Sequence, residues 1–224
     1  MDRLSGFLGT LGPWITVNEL LQGRPLVVIA PHPDDETLGC GALLFDAAAA
    51  AVDTTVICVT DGSKSHPNSA SHPPQRLATL RRREMEAATN ILGARLHWLG
   101  HPDCEVDETA PLGHLIPEGA LVLASWAGDP HRDHESVARM AKAAMRSDLA
   151  LAFYPVWGRF TDVATAGTRR LRASPEAAGA KRRALACHES QMSRLIDDDP
   201  DGFVMEDWRQ AHFLDHPEII IAAP

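Results

Sequence analysis

Five short apolar runs punctuate the chain at 26–30 (LVVIA), 54–59 (TTVICV), 95–99 (RLHWL), 120–126 (ALVLASW) and 149–154 (LALAFY). Helix-length stretches lie between and after them. One runs from about Thr37 to Ala51. A second spans 75–92, with Leu77, Leu80, Ala88 and Ile91 near helical spacing and Gly93 as its stop. A third runs from about Asp133 to Arg146, with Val137, Met140, Ala141 and Ala144 on one face, and a fourth covers roughly 175–192. A strand that returns through a helix re-enters its sheet in the same direction, so this alternation predicts parallel pairing. The expected fold class is α/β, a Rossmann-like three-layer αβα arrangement with a mostly parallel sheet. One further apolar run, Ile219 to Ala222, closes the chain. With 224 residues and no internal repeat or second composition regime, a single domain over 1–224 is expected, its core at about 26–192.

Composition narrows the partners. Apolar residues make up 45% and charged residues 23%, as in ordinary globular chains, and the net charge is −9. An acidic chain lacks the Lys and Arg excess that neutralises nucleic-acid phosphates or binds anionic membrane surfaces. The four cysteines (Cys40, Cys58, Cys104 and Cys187) form no CxxC pair and read as reduced thiols. The first 25 residues carry no basic-then-apolar leader pattern, and no apolar run approaches a membrane span, so a cytoplasmic protein is expected.

In an open parallel sheet, ligands bind beyond the carboxyl ends of the strands. The residues that follow each run are therefore informative. They are Pro31-His32-Pro33-Asp34-Asp35-Glu36, Thr60-Asp61-Gly62, Gly100-His101-Pro102-Asp103 and Asp129-Pro130-His131-Arg132-Asp133-His134. Acids and histidines from separate segments converge on one predicted edge. His32 and Asp35, three apart across a turn, can face one point, and His134 would reach it from the loop of another strand. Two imidazoles and one carboxylate leave coordination positions open, as in catalytic zinc sites and in the facial triad of ferrous enzymes. Hydrolysis needs no redox chemistry, which puts Zn2+ first, with Fe2+ or another divalent metal as the alternative. A cation there lowers the pKa of a bound water from about 16 to about 7, and Asp34, left free, is placed to act as general base. His131 would approach without binding the metal, to stabilise an oxyanion or protonate the leaving amine, while Asp133 orients its imidazole.

Plainer readings compete. Asp34 and Asp35 suit a helix N-terminus, and His131 alone suits a surface position. His101 reads as incidental and Asp197-Asp198-Asp199 as a solvated acidic loop. Residues 61–74 (DGSKSHPNSASHPP) read as a long surface loop.

PHPDDETLGCGALL, followed later by PHRDH, resembles the PIG-L/LmbE-like N-acetylglucosaminyl deacetylases. Supporting pieces follow in the family's order: Thr60-Asp61-Gly62, Arg81-x-x-Glu84, Leu92-Gly93, Pro102-Asp103, Ala184-Leu185 and His188-x-Ser190-Gln191. The resemblance implies a Rossmann-like fold and removal of an N-acetyl group from a small-molecule amino sugar or glycoconjugate. It further implies His32, Asp35 and His134 as metal ligands, Asp34 as base, and His131 at the tetrahedral intermediate. Arg81 and Asp103 match positions that contact the sugar. Pro31 and Arg132 depart from the family's pattern, where Ala and Pro are usual. The loop 61–74 and the tail after 192 match no part of it, and they are expected to choose the substrate. Two other readings share the residues: a non-haem Fe(II) enzyme, and a non-catalytic metal or sugar-binding module.

Overall fold

A computed structural model describes residues 12–162 and 166–223. Residues 1–11, part of the N-terminal stretch on which the leader reading rests, lie outside the described residues. The described strands are β1 (Trp14–Thr16), β2 (Leu26–Ala30), β3 (Thr54–Thr60), β4 (Arg95–His101), β5 (Leu121–Ser125), β6 (Ala150–Tyr154), β7 (Thr168–Arg172) and β8 (Ile219–Ala222). The helices are α1 (Val17–Leu21), α2 (Asp35–Ala49), α3 (Pro74–Leu92), α4 (Arg132–Ala143), α5 (Pro175–Cys187), α6 (Glu189–Met192) and α7 (Asp207–Asp215). All strands join one sheet in the order β1-β7-β8-β6-β5-β2-β3-β4. Pairing is parallel from β4 through β6 and between β1 and β7. Only β8 runs antiparallel, wedged between β6 and β7.

The five strands from β6 to the β4 edge follow a Rossmann-like order, and the order reverses between β2 and β5. Both are fully buried. Strand side chains alternate between faces, so Leu26, Val28 and Ala30 enter one apolar cluster and Val27 and Ile29 the other. The first cluster gathers Leu43 and Leu44 of α2, Met85 of α3 and Leu185 of α5. The second gathers Val137, Met140 and Ala141 of α4. Burial on both sides explains why β2 and β5 read as unbroken apolar runs.

Three differences from expectation have physical causes. The helix expected over 175–192 breaks at His188, whose backbone leaves the helical region at φ −81°, ψ 50°. Strands β1 and β7 and helix α7 were not expected. In β7 the sequence TRRLR buries only Thr168 and Leu171 well, and a strand with so few apolar residues carries little hydrophobic signal. The acidic run 197–199 is not simply solvated. Asp199 is buried, and its carboxylate accepts the Asn68 backbone N–H at 2.8 Å. No helix among the described residues is long and apolar enough to cross a membrane.

Candidate active site

The β2/β5 switch point is where the polar segments meet. After Ala30 the chain turns through Pro31 to Asp34, and Asp35 opens α2. Asp34 sits at φ 136°, ψ −26°, a conformation that L residues rarely adopt. Neighbours hold it there. Its N–H donates to Glu36 Oε2 at 3.1 Å, and its carbonyl accepts from Thr37 and Leu38. Glu36 is itself fully buried, with Oε1 3.1 Å from His188 Nε2. The break at His188 thus brings the end of α5 against the turn that carries Asp34.

Asp35 is the hub. Its Oδ2 accepts the His32 backbone N–H at 3.0 Å and lies 3.2 Å from His32 Nδ1 and 3.3 Å from His134 Nε2. Each histidine is held from behind by a carboxylate. His134 Nδ1 lies 2.9 Å from Asp129 Oδ2, and His32 Nε2 lies 3.0 Å from Asp133 Oδ2. Asp129 is further fixed by the N–H groups of Val156, Trp157 and Gly158. Carboxylates behind ligand imidazoles fix ring orientation and tautomer. The Asp133 carboxylate therefore faces the ring of His32, and Asp133 meets the ring of His131 through its backbone N–H instead. His131 is the N-cap of α4, and its Nδ1 accepts the Asp133 backbone N–H at 3.2 Å. In the neutral imidazole this leaves the proton on Nε2.

The donor set suits a divalent cation. His134 Nε2 is buried and makes no hydrogen bond among the described residues, and neither does Asp133 Oδ1. Ligand atoms of His32, His131 and His134 lie within 4.8 Å of one another, as do those of His32, Asp103 and Asp133. In the second trio the Asp103 carboxylate is already taken by the N–H groups of Gly62 and Lys64, both at 2.9 Å. In the first, His131 is engaged at its helix. His32, His134 and the Asp35 oxygen between them are the better set.

Charge points the same way. Burial presses His134 toward its neutral form, yet Asp35 and Asp129 reverse this and lift it to about 10. Burial acts likewise on His32, which Asp133 and Asp35 lift to about 9. Burial would raise Asp35, but the two histidines hold its carboxyl far below the usual range. The pocket therefore favours positive charge at its centre. Burial, with charge on His32 and His134, depresses His131 to about 4. Burial pushes Asp34 up to about 7, with Arg81 opposing and Asp35 reinforcing. A carboxyl poised near neutrality is suited to taking a proton.

Arg81, read as a sugar contact, is buried and donates to Pro33 O at 2.6 Å, Asp34 Oδ2 at 3.2 Å and Gly62 O at 3.3 Å. Both Arg81 and Asp103 line the cavity while also bracing it. The cavity encloses about 500 Å³ and is lined by His32, Asp34, Asp35 and His131, and also by Trp157 and Phe203. Sequence reasoning assigned no role to Asp129, Glu36 or His188. Asp129 had a signal, a carboxylate five residues before the candidate ligand His134. The others had none, because their partners lie far away in the chain.

Comparison with known proteins bears on this geometry. A mycothiol S-conjugate amidase of Streptomyces coelicolor is 32% identical over 103 residues, which are 44% of this chain and 35% of that protein. A probable N-acetyl-alpha-D-glucosaminyl L-malate deacetylase of Bacillus anthracis is 26% identical over 136 residues, 54% of this chain and 59% of that protein. The chain thus spans only about a third to three fifths of these relatives. Among solved structures, N,N'-diacetylchitobiose deacetylase from Pyrococcus horikoshii superposes with a TM-score of 0.67 at 19% identity, over 90% of this chain and 84% of that one. The family described as PIG-L, GlcNAc-PI de-N-acetylase, matches residues 27–145, which hold the PHPDDE and PHRDH segments and the switch point between them. The chain belongs to that family.

Proposed function

We propose that the protein is a cytoplasmic hydrolase that removes an N-acetyl group from an N-acetylglucosamine-type sugar or its conjugate. In this reading it uses a divalent cation, zinc first and ferrous iron as the alternative, held by His32, Asp35 and His134. The observation that carries the reading is the approach of both imidazoles to one Asp35 oxygen, with Asp34 beside them at a pKa near neutrality. Bound there, the cation supplies Lewis acidity and lowers the pKa of a coordinated water. Asp34 accepts the proton of the attacking water, and Arg81 keeps its carboxylate in place. His131 donates from Nε2 toward the charge that develops on the amide oxygen. The C–N bond then breaks as Asp34 passes the proton it took from water to the leaving nitrogen, and acetate and the amine leave. Asp129 and Asp133 take no part in proton transfer and hold the ligand rings. The named activities of the relatives, an amidase and a deacetylase, support an amide as the bond cleaved.

The test is acetate release by the zinc-loaded protein across a panel of N-acetylated amino sugars. Asp34→Asn is expected to retain metal and lose about 10²–10⁴-fold in kcat. His134→Ala is expected to lose the metal. Unchanged turnover in Asp34→Asn overturns the assignment. Silence across the whole panel with metal bound favours a binding module instead.

A further inference from the structure

Two fully buried side chains stand behind Asp34 and take no part in the chemistry derived above. Neither Glu36 nor His188 lines the cavity, so neither touches a substrate or a cation there. A buried carboxylate is kept only where its oxygens are satisfied. Both oxygens of Glu36 are. Oε2 accepts the Asp34 N–H at 3.1 Å, while Oε1 accepts the Thr37 hydroxyl at 2.5 Å and lies 3.1 Å from His188 Nε2. A carboxylate oxygen only accepts, so the imidazole donates from Nε2. One side chain thus joins the backbone of Asp34 to a ring 152 positions along the chain.

The peptide between Pro33 and Asp34 is gripped at both ends. Its N–H goes to Glu36, and its carbonyl accepts from Arg81 Nη2 at 2.6 Å. The plane of that peptide sets φ of Asp34, and φ 136° is a value that an L residue does not hold unaided. The same backbone setting turns the Asp34 carboxylate into the cavity, where Oδ2 meets Arg81 Nη2 at 3.2 Å. His188 is fixed in its turn. It stands at the break between α5 and α6, and its carbonyl accepts the N–H groups of Gln191 and Met192, both at 3.0 Å. Ser190 ties this corner to Glu84 of α3, through its N–H at 2.8 Å and its Oγ at 2.7 Å. Three helices therefore place one imidazole, and the imidazole places the carboxylate that holds the Asp34 N–H.

We propose that His188, acting through Glu36, is a positioning residue for the base. It holds the peptide before Asp34 in the orientation that aims the Asp34 carboxylate into the cavity. The proposal rests on the reading of Asp34 as general base, and its test lets the two fail separately.

The experiment compares His188→Gln with His188→Asn in the zinc-loaded full chain, on the panel sugar that releases acetate fastest. A glutamine amide reaches the place of the imidazole Nε2 and can donate to Glu36, whereas an asparagine amide, one carbon shorter, falls short of it. His188→Gln is expected to keep kcat within about threefold of wild type, and His188→Asn to lose about 10–100-fold in kcat with KM and zinc affinity within about twofold. In an Asp34→Asn background the same His188→Asn change should cost less than about twofold, because no base remains to be aimed. Hydrogen exchange of the residue 34 amide, followed by NMR in the metal-free protein, supplies a readout without turnover. It should quicken by about tenfold or more in His188→Asn and stay near wild type in His188→Gln. Equal kcat losses in the two variants, or the same loss from His188→Asn with and without the Asp34 carboxylate, overturn the positioning role and leave the base reading standing. Unchanged exchange at residue 34 in His188→Asn overturns it as well. Unchanged turnover in Asp34→Asn overturns the base reading and with it the catalytic use of His188, even where the exchange result holds.

Discussion

At the scale of single residues, the site separates groups that would meet a cation from groups that aim them. Asp129 belongs to the second kind. One carboxylate serves His134 Nδ1 and three backbone N–H groups of the turn at 156–158, so its loss loosens the His134 ring without removing it. Asp129→Asn is expected to weaken zinc affinity by about 10–100-fold, measured by competition with a chromophoric chelator, while the fold survives. An affinity unchanged within a factor of two would show that His134 needs no such support. The His-Pro-Asp-Asp-Glu run was legible in the sequence because His32 and Asp35 lie three residues apart across a turn. The partner of Glu36 was not, since His188 lies 152 positions away.

At the scale of elements, the pairing of loop 61–74 with the tail makes a pH prediction. The Ser69 hydroxyl and the Ser71 N–H hold the Asp198 carboxyl well below its ordinary value. A folded-state pKa below the unfolded one contributes stability that is full above the unfolded pKa, near 4, and is lost as pH falls through the folded pKa. Hydrogen exchange of the 68–71 amides should therefore be faster in Asp198→Asn than in wild type at pH 6, and the difference should shrink below about pH 4. A difference independent of pH would show that the carboxylate charge is irrelevant. The loop was recognisable from its Ser, Pro, Gly and Asn content. Its partner was not, because an acidic triplet looks alike in sequence whether it meets water or backbone N–H groups.

At the scale of the whole molecule, β8 ties the end of the chain into its centre. Glu218, beside β8, accepts the N–H groups of Ala42 and Leu43 in α2 and pairs with Lys181 of α5 at 2.7 Å, all buried. Burial depresses the Lys181 ammonium while Glu218 opposes that shift. Lys181→Met removes one charge of a buried pair and should cost about 3–5 kcal/mol in denaturant unfolding. A loss below about 1 kcal/mol would mean that the two N–H groups satisfy Glu218 alone. On the function proposed above, metal removal acts on the same global equilibrium. Zinc at about 100 times its Kd adds about 2.7 kcal/mol, so chelation should lower Tm by about 5–10 °C, and no shift would argue against a site formed only in the folded state.

What the amino-acid order determined by itself was local or periodic. The alternation of apolar runs and helical stretches predicted the α/β class and the parallel central sheet, and the short spacing within PHPDDE and PHRDH pointed to the ligand residues. Tertiary structure decided everything that depends on contacts between distant segments. It inserted β8 antiparallel between β6 and β7, turned the Asp133 carboxylate to His32 while its backbone N–H meets His131, joined His188 to Glu36, and joined loop 61–74 to the tail along the cavity. The reason is physical. Periodicity and turn chemistry act within a few residues, whereas the partner of a buried polar group is set by which elements the packed core brings side by side.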